Sequence, residues 1–297
     1  MNRTEKVLAY IDKKGLGLEI GPSYNPIISK ALNSNIRTVD HLDRDGLCVK
    51  YRHLSPELLD KIEDVDYIWT GGSLVDVIGE VNKFDYIIAS HLIEHTVDLI
   101  GFLQDCEKLL KPNGVISLAI PDKRFCFDRF KSLSSLGDVI YSHLNKHPFH
   151  SIDAIIDHHV YGAVMGSNQL AWNSTANGKL NLHHPQIANL RNQIDEKTFE
   201  STYHDVHHWI FTPTSFSLLM QDLHELQFLT LAKNGSFDTS EFEFFISLSK
   251  SQDYVEYKDR LEMLIRIENE MTVKMDSIYN VRKFLKKIHS RIEKVLK

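Results

Sequence analysis

The sequence predicts an α/β domain built on a mainly parallel sheet, with a helical insert and a long C-terminal helix. Short apolar runs of strand length alternate with helical segments over residues 1–121, at the spacing of βαβ units. The alternation stops over residues 122–212, and two β-type runs follow the next helix. Residues 251–297 contain neither Gly nor Pro, and their apolar residues recur every three, four or seven positions, as in one long helix.

Five strands are predicted in the first part of the chain, which we take as the ligand-binding part of the domain. Each strand is a short apolar run that ends in a turn signal, as buried parallel strands do. They are expected at 16–21, 36–40, 66–72, from 84 and at 115–121. Helices are expected at 4–14, 26–32 (opened by Asn25-Pro26), 55–62 and 97–111, and a turn at Pro112-Asn113-Gly114.

Residues 122–212 are predicted to form a mostly helical insert that covers the substrate. The stretch is too long for an ordinary loop, has no clear strand, and holds ten of the 16 histidines. Beyond it, Thr212-Pro213-Thr214 is expected to cap a helix that ends near Leu226. The runs FLTLAKN and FEFFISLS are then expected to pair antiparallel across a Gly-Ser loop, so that residues 213–250 complete the sheet.

Composition narrows the class of protein. The formal net charge is −6, without a basic stripe along the fold, so nucleic acid is not expected as a partner. No N-terminal apolar segment and no apolar window of membrane-spanning length occurs, which favours a cytoplasmic location. The three cysteines are odd in number and lack metal-ligand spacing, as free thiols in a reducing compartment would.

The ends of the predicted strands are the expected ligand site, because open α/β sheets bind ligands beyond the carboxyl ends of their strands. Gly21 allows a sharp turn and close approach of a ligand after the first strand, and Glu19 lies at that strand's tip. Asp40 ends the second strand, where a carboxylate can accept hydrogen bonds from a ribose diol; Asp43 is a nearby alternative. The other ends are Trp69–Ser73 and Ser90–His95.

The segments LEIGPSYNP, TVDHLD, FDYIIASHLIEH and LLKPNGVISLAIPD resemble those of class I methyltransferases that use S-adenosylmethionine (SAM). The likeness is greatest to the group with an E-x-G-P glycine motif and an E-H pair after the fourth strand. It covers residues 15–125, and residues 213–250 by topology. It implies a Rossmann-like sheet of seven strands with the last one antiparallel. PDKRFCFDRF also resembles methyltransferases found among bacterial surface-polysaccharide genes.

The resemblance implies SAM as the cofactor and assigns residues to it. The expected SAM-binding residues, from methionine moiety through ribose to adenine and sulfonium, are Glu19, Gly21, Pro22, Ser23, Asp40, Asp43, Thr70, Gly71, Ser90 and His91. Two departures from the family pattern stand out. Ser23 and Asn25 replace the second and third glycines, and the adenine loop lacks the usual acidic residue.

Methyl transfer to a hydroxyl requires a base, and histidine titrates near neutral pH. His91, at the end of the fourth strand, and His207, in the insert, are the expected catalytic bases, with Asp122 at the end of the fifth strand as a third candidate. His95 is expected to be a packing residue. The clusters Asp157-His158-His159 and His204-His207-His208 match no zinc spacing, so no metal is expected.

The predicted function is O-methylation of a sugar or glycan, because the insert is rich in aromatic and amide side chains. An inactive assembly module of a polysaccharide complex is the alternative; a nicotinamide oxidoreductase is disfavoured because G-x-G-x-x-G is missing. The apolar stripe of residues 251–297 is expected to mediate self-association. Its end, RKFLKKIHSRIEKVLK, has seven basic residues and one Glu; a coiled-coil end is favoured there over contact with an anionic membrane.

Overall fold

Seven strands form the central sheet of the computed structural model, which describes residues 1–188, 190–191, 203–250 and 258–272. The strands are β1 (Gly17–Ile20), β2 (Ile36–Asp40), β3 (Tyr67–Ile68), β4 (Phe84–Ser90), β5 (Leu110–Pro121), β8 (Leu231–Ser240) and β9 (Glu243–Lys250). Their order is β3-β2-β1-β4-β5-β9-β8. The first five run parallel, and β9 is antiparallel to both of its neighbours. The predicted Rossmann-like α/β fold is confirmed.

Helices pack against this sheet and lie between many of its strands in the sequence. They are α1 (Arg3–Val7), α2 (Arg44–Lys50), α3 (Pro56–Leu59), α4 (Leu74–Ile78), α5 (Leu99–Leu109), α6 (Leu136–Asn145), α7 (Ile152–Tyr161) and α8 (Pro213–Glu225). Short 3₁₀ turns occupy Ile93–His95, Lys123–Phe125 and Phe127–Phe130. The expected cap of α8 is confirmed: Thr212 accepts a hydrogen bond from the backbone N–H of Ser215.

Both faces of the sheet are buried. Along β4, Ile87 packs into the larger apolar cluster, with α5 and α8, while Tyr86 and Ile88 pack into a second cluster that includes Val7 of α1. This alternation follows from the two-residue period of a strand. Burial on both sides explains why residues 84–90 and 115–121 are apolar at most positions.

The helix predicted over 26–32 is wrong. The segment forms turns. The carboxylate of Glu63 accepts the N–H of Lys30, which in a helix opened by Asn25-Pro26 would bond the carbonyl of Pro26. The carboxylate of Glu19 accepts the N–H groups of Ile27 and Ile28, which have no carbonyl acceptor in the first turn of a helix. The helix expected over 4–14 is also shorter, and α1 ends at Val7.

Two predicted turns fall elsewhere. Pro112-Asn113-Gly114 lies inside β5, where the pairing with β4 changes register. The β8–β9 connection lies at Glu241, with φ of +61°, and not at the Gly-Ser pair. Gly235 lies within β8, and a Cβ there would come 2.1 Å from the ring of Tyr10, so this glycine is needed for close packing.

The described part of residues 122–212 contains α6, α7 and a two-stranded antiparallel sheet of β6 (Ala163–Met165) and β7 (Leu180–Leu182). Strands of three residues give too short an alternation to be read from sequence. Asp122 and Phe211 pair in a parallel bridge, which brings the two ends of this stretch together beside β5. Its assignment as an insert that covers the substrate stays a prediction.

The chain divides into two units, Met1–Tyr257 and Lys258–Lys297. In the second unit, helix α9 (Arg260–Met271) confirms part of the expected C-terminal helix. Residues 251–257 and 273–297, including the basic end, lie outside the described residues. Among the helices that the structure describes, none has both the length and the apolar character to cross a membrane.

Candidate active site

The turn after β1 passes close to the end of β4. Gly21 has φ of +71°, a conformation that side chains disfavour. A Cβ at Gly21 would lie 3.2 Å from Cδ1 of Leu92, and its N–H donates to the carbonyl of Val39 at 2.8 Å. Pro22 follows, and then Ser23 with φ of +46°. The missing side chain at Gly21 therefore lets the turn fold tightly against both neighbouring strands.

Asp40 lies at the tip of β2 and is only 4% exposed. One carboxylate oxygen accepts from the backbone N–H of Ser23 at 2.9 Å, with the Ser23 hydroxyl at 3.3 Å. The other accepts from the backbone N–H of His41 at 2.8 Å, and lies 2.6 Å from Nδ1 of that ring. The two backbone bonds fix the carboxylate, whereas the two side-chain groups can rotate away and free positions for a ribose diol.

Glu19 is buried at the end of β1, with its carboxylate on the Ile27 and Ile28 amides at 2.7 and 3.1 Å. Burial raises its pKa from 4.5 to about 7, although the two amide hydrogen bonds act in the opposite direction. Glu19 therefore holds the loop after Gly21 in place, beneath the turn predicted to receive the methionine moiety.

Asp43, the alternative to Asp40, caps α2: its carboxylate accepts from the N–H of Gly46 at 2.8 Å. On the next strand end, Thr70 and Gly71 are exposed. Gly71 has φ of +121°, and no heavy atom lies within 4 Å of a Cβ built there. The backbone after β3 thus offers an open surface of the kind an adenine ring could lie against.

These strand tips suit SAM. Asp40, whose carboxylate can hold a ribose, lies between two turns that each contain a glycine, Gly21 and Gly71. The missing side chains at these glycines leave room for a ligand. SAM has no phosphate, so the glycines replaced by Ser23 and Asn25 are not needed to cradle one. The structure brings the predicted binding residues of β1, β2 and β3 to one edge of the sheet, as their strand order requires.

Charged side chains meet at the end of β4. Arg3 donates to the Ser90 hydroxyl at 2.6 Å and to the carboxylate of Glu243 at 2.7 and 3.1 Å. His91, with φ of +51°, places Nε2 2.8 Å from the same Glu243. Burial favours the neutral form of Glu243, but its hydrogen bonds with His91 and Arg3 lower its pKa overall. His91 is thus anchored at one nitrogen.

Glu94, in the turn after β4, is fully buried. Neither of its carboxylate oxygens has a hydrogen-bond partner among the residues that the structure describes. Two histidine nitrogens lie near it: Nδ1 of His91, 3.5 Å from Oε1, and Nε2 of His207, 4.0 Å from the same oxygen. A buried carboxylate without partners is costly, and such groups concentrate at functional sites.

His207 reaches this carboxylate from the far end of the 122–212 stretch. Its Nδ1 lies 2.5 Å from Oδ2 of Asp128, whose Oδ1 lies 2.9 Å from Nζ of Lys131. Lys131 also donates to the backbone carbonyl of His207 at 2.9 Å. Although burial opposes ionisation, His207 and Lys131 hold the pKa of Asp128 far below its usual range. The contact with Asp128 engages Nδ1 and leaves Nε2 of His207 facing Glu94.

His95 belongs to the same cluster. Its Nδ1 lies 2.9 Å from Oδ1 of Asp205, and its ring stands perpendicular to that of His207, with centroids 4.6 Å apart. Burial lowers the pKa of His95, but Asp205 and Glu94 outweigh burial and raise it overall. The expectation that His95 only packs against the helix start overlooked this polar setting.

Asp122 has a different environment. It is fully buried, and Nε of Arg124 donates to its Oδ1 at 2.9 Å, with Thr239 hydrogen-bonded to the other oxygen at 2.5 Å. The backbone of Asp122 forms the bridge to Phe211 that joins the ends of the 122–212 stretch, whereas its carboxylate is held by Arg124 and Thr239. Of the three base candidates, the two histidines each have a ring nitrogen beside Glu94: Nδ1 of His91 at 3.5 Å and Nε2 of His207 at 4.0 Å.

A cavity of about 280 Å³ adjoins His207 and His208, and Lys131 lies in its wall. Most of its lining is polar. Hydroxyl and carboxylate side chains are contributed by Ser132, Ser134, Asp138, Tyr141, Ser142 and Asp153. The cavity is large enough for a small polar molecule next to the histidine.

The model of the family described as "Methyltransferase domain" matches residues 4–223 of the chain. One similar protein is the mitochondrial ubiquinone biosynthesis O-methyltransferase of Bos taurus, which is 29% identical over 93 residues. Those residues are 31% of this chain and 21% of that protein. The enzyme of the same name from Rhodopseudomonas palustris is 29% identical over 79 residues, 27% of this chain and 24% of its own. The matches thus span about a quarter or less of these relatives' length.

Solved structures match at lower identity. The PH0226 protein of Pyrococcus horikoshii is 15% identical, with a TM-score of 0.42 over 84% of this chain and 90% of that one. The CcbJ methyltransferase of Streptomyces caelestis is 10% identical, with a TM-score of 0.41 over 84% and 97%.

Proposed function

Because this chain belongs to the family of methyltransferase domains, we propose that it transfers a methyl group from SAM to a hydroxyl of a sugar or glycan. Family membership makes the protein a class I methyltransferase and SAM its cofactor. When bound, SAM supplies a methyl group made reactive by its sulfonium. The acceptor and the base belong to this proposal, and the arrangement around His207 is the observation that carries it.

In the proposed mechanism, His207 takes the proton of the acceptor hydroxyl at Nε2. Asp128 accepts a hydrogen bond from the Nδ1–H of His207 and so fixes the tautomer in which Nε2 has a free lone pair. Lys131 holds both Asp128 and the backbone of His207, which locks the ring in place. Glu94, 4.0 Å from Nε2, stabilises the imidazolium that forms as the proton arrives.

The strand tips position the donor in this proposal. Asp40 would hold the ribose, and the turn at Gly21 would receive the methionine moiety. Ser90 and His91, at the tip of β4, would contact the sulfonium end, because β4 is the direct neighbour of β1 in the sheet. The protein's contribution is alignment of donor and acceptor and exclusion of water, since the methyl group is already activated.

Three observations support a sugar acceptor with an oxygen nucleophile. The cavity beside His207 is lined by hydroxyls and carboxylates, which are suitable partners for sugar hydroxyls. PDKRFCFDRF resembles methyltransferases found among surface-polysaccharide genes. The curated relatives are named O-methyltransferases, which favours oxygen as the methylated atom.

The test is transfer of a radiolabelled methyl group from SAM by the purified full chain. The acceptors are free hexoses, nucleotide-linked hexoses and, for comparison, a catechol. We expect label in a sugar product, with His207→Ala protein as the inactive control. Label in the catechol alone would overturn the sugar assignment and retain methyl transfer, whereas label in neither class would favour an assembly module without activity.

A further inference from the structure

The carboxylate of Glu94 lies near two histidine nitrogens but makes no hydrogen bond in the described part of the chain. It is fully buried, and neither oxygen has a hydrogen-bond partner there. Protonation would remove the charge but would add a buried hydroxyl that also lacks an acceptor. Buried carboxylates are normally paired with a cation or bound to a metal ion, because the desolvation cost is otherwise uncompensated.

Two histidines stand next to this carboxylate. Glu94, His95 and His207 each offer one ligand atom, and these atoms all lie within 4.8 Å of one another. Oε1 of Glu94 and Nε2 of His207 are 4.0 Å apart. Two ligands of a tetrahedral zinc ion, each about 2.1 Å from it, lie about 3.4 Å apart, so this pair needs to close by about 0.6 Å. Side-chain rotation can supply that movement.

Both histidines have a carboxylate beside Nδ1. Nδ1 of His207 lies 2.5 Å from Asp128 in a hydrogen bond, and Nδ1 of His95 lies 2.9 Å from Asp205 in an ion pair. A histidine that binds a metal through one nitrogen commonly donates the other N–H to a carboxylate, which fixes the tautomer and makes the ligand more basic. Both imidazole–carboxylate pairs lie next to the carboxylate of Glu94, which has no hydrogen bond among the described residues.

We propose that Glu94, His95 and His207 bind a divalent transition-metal ion, with Zn²⁺ as the best match to two imidazoles and one carboxylate. Three protein ligands leave a fourth position open, as in catalytic zinc sites. This role rests on the proposed function: the open position would take the acceptor's oxygen, the ion would lower the pKa of that hydroxyl, and its proton would pass to water. In the metal-bound protein His207 would be a ligand, and the mechanism with His207 as the base would apply to the metal-free protein.

No zinc-binding motif marks this site in the sequence, because one ligand lies far along the chain from the other two. Glu94 and His95 are adjacent, but His207 follows 112 residues after His95, outside any zinc motif. The 3₁₀ turn of Ile93–His95 presents the first two ligands, and the backbone N–H of His208 donates to the carbonyl of Glu94 at 2.7 Å. That bond fastens the two segments beside the site.

The experiment is titration of the full chain with Zn²⁺ by calorimetry after chelator dialysis, in a buffer with a weak competing chelator that masks surface histidines. We expect one ion per chain. Glu94→Gln should weaken binding at least roughly tenfold, and Asp205→Asn, at a partly exposed position, by roughly 10–100-fold. His143→Ala is the matched control, because His143 also pairs with an aspartate, Asp98, outside the cluster. Its affinity should equal that of the unmodified protein.

Absence of stoichiometric Zn²⁺ binding, or equal affinity in the Glu94→Gln and unmodified proteins, would overturn the proposal. Melting curves with and without Zn²⁺ supply a second readout: the ion should raise the melting temperature of the unmodified protein but not of Glu94→Gln. Glu94→Gln in chelator should remain folded, since the substitution removes a buried charge. Loss of zinc binding with methyl transfer intact would reject the metal site alone; zinc binding without methyl transfer would reject the proposed function alone.

Discussion

Replacing His207 with Ala should lower turnover much more than cofactor affinity. The imidazole is 8% exposed, and its Nε2 faces Glu94 rather than the tips of β1–β3, where the cofactor is expected. A positioned general base contributes about 10²–10⁴-fold to a rate. We therefore expect kcat to fall by a factor in that range, while the Kd for S-adenosylhomocysteine changes by less than about twofold.

The same change has a calculable effect on stability. Asp128 loses its contact with His207 but keeps Lys131 at 2.9 Å, so its charge remains paired. The free energy of unfolding should fall by about 1–3 kcal/mol, the cost of a lost buried hydrogen bond. It should not fall by the larger amount, about 3–5 kcal/mol, that follows when a buried charge loses its only partner. A folded variant therefore remains available for kinetics.

Initial rates with labelled SAM and calorimetry with S-adenosylhomocysteine separate the two effects. Asp128→Asn is a second variant that keeps side-chain volume and removes the charge that orients His207; its kcat should fall without a matching loss of cofactor affinity. His143→Ala is the control outside the site. Equal losses of kcat and cofactor affinity in His207→Ala, or unchanged kcat in both variants, would refute the reasoning.

Other substitutions test the strand tips. Burial raises the pKa of Glu19 from 4.5 to about 7, so the folded state holds this proton more tightly than the unfolded chain does. As the pH rises from 4.5 to about 7, the free energy of unfolding should fall by about 3 kcal/mol relative to that of Glu19→Gln. The same pH dependence of urea unfolding in both proteins would contradict this. Gly17→Ala would place a Cβ 2.2 Å from the ring of Tyr86, and should cost about 1–3 kcal/mol in urea unfolding; an unchanged midpoint would show that the ring yields freely. Asp43→Ala removes a helix cap and should cost about 1 kcal/mol without changing affinity for S-adenosylhomocysteine, whereas a tenfold weaker affinity would transfer the ribose role from Asp40 to Asp43.

The sheet could be predicted from sequence because its strands are buried on both faces. Runs such as residues 84–90 and 115–121 are apolar at nearly every position, and burial of β4 and β5 requires that pattern. The helix expected over 26–32 failed because Glu63, far along the chain, accepts the amide of Lys30 that a helix would have bonded to the carbonyl of Pro26. Local propensity carries no information about such a competitor.

The candidate site was predictable only in part. Strand ends identified Asp40 and Gly21, since parallel strands bring their carboxyl ends to one edge. Glu94 was not singled out, although a carboxylate between Ile93 and His95 in an otherwise buried turn is an unusual signal. Its proximity to His207 depends on how residues 122–212 return to the sheet, and no local pattern encodes that path.

Calorimetric titration of the purified full chain with S-adenosylhomocysteine tests the central claim most directly. The account predicts one molecule bound per chain, at least tenfold weaker binding in Asp40→Ala, and no comparable heat with NAD. Absence of heat with S-adenosylhomocysteine, or stronger binding of NAD, would contradict a SAM site at the tips of β1–β4.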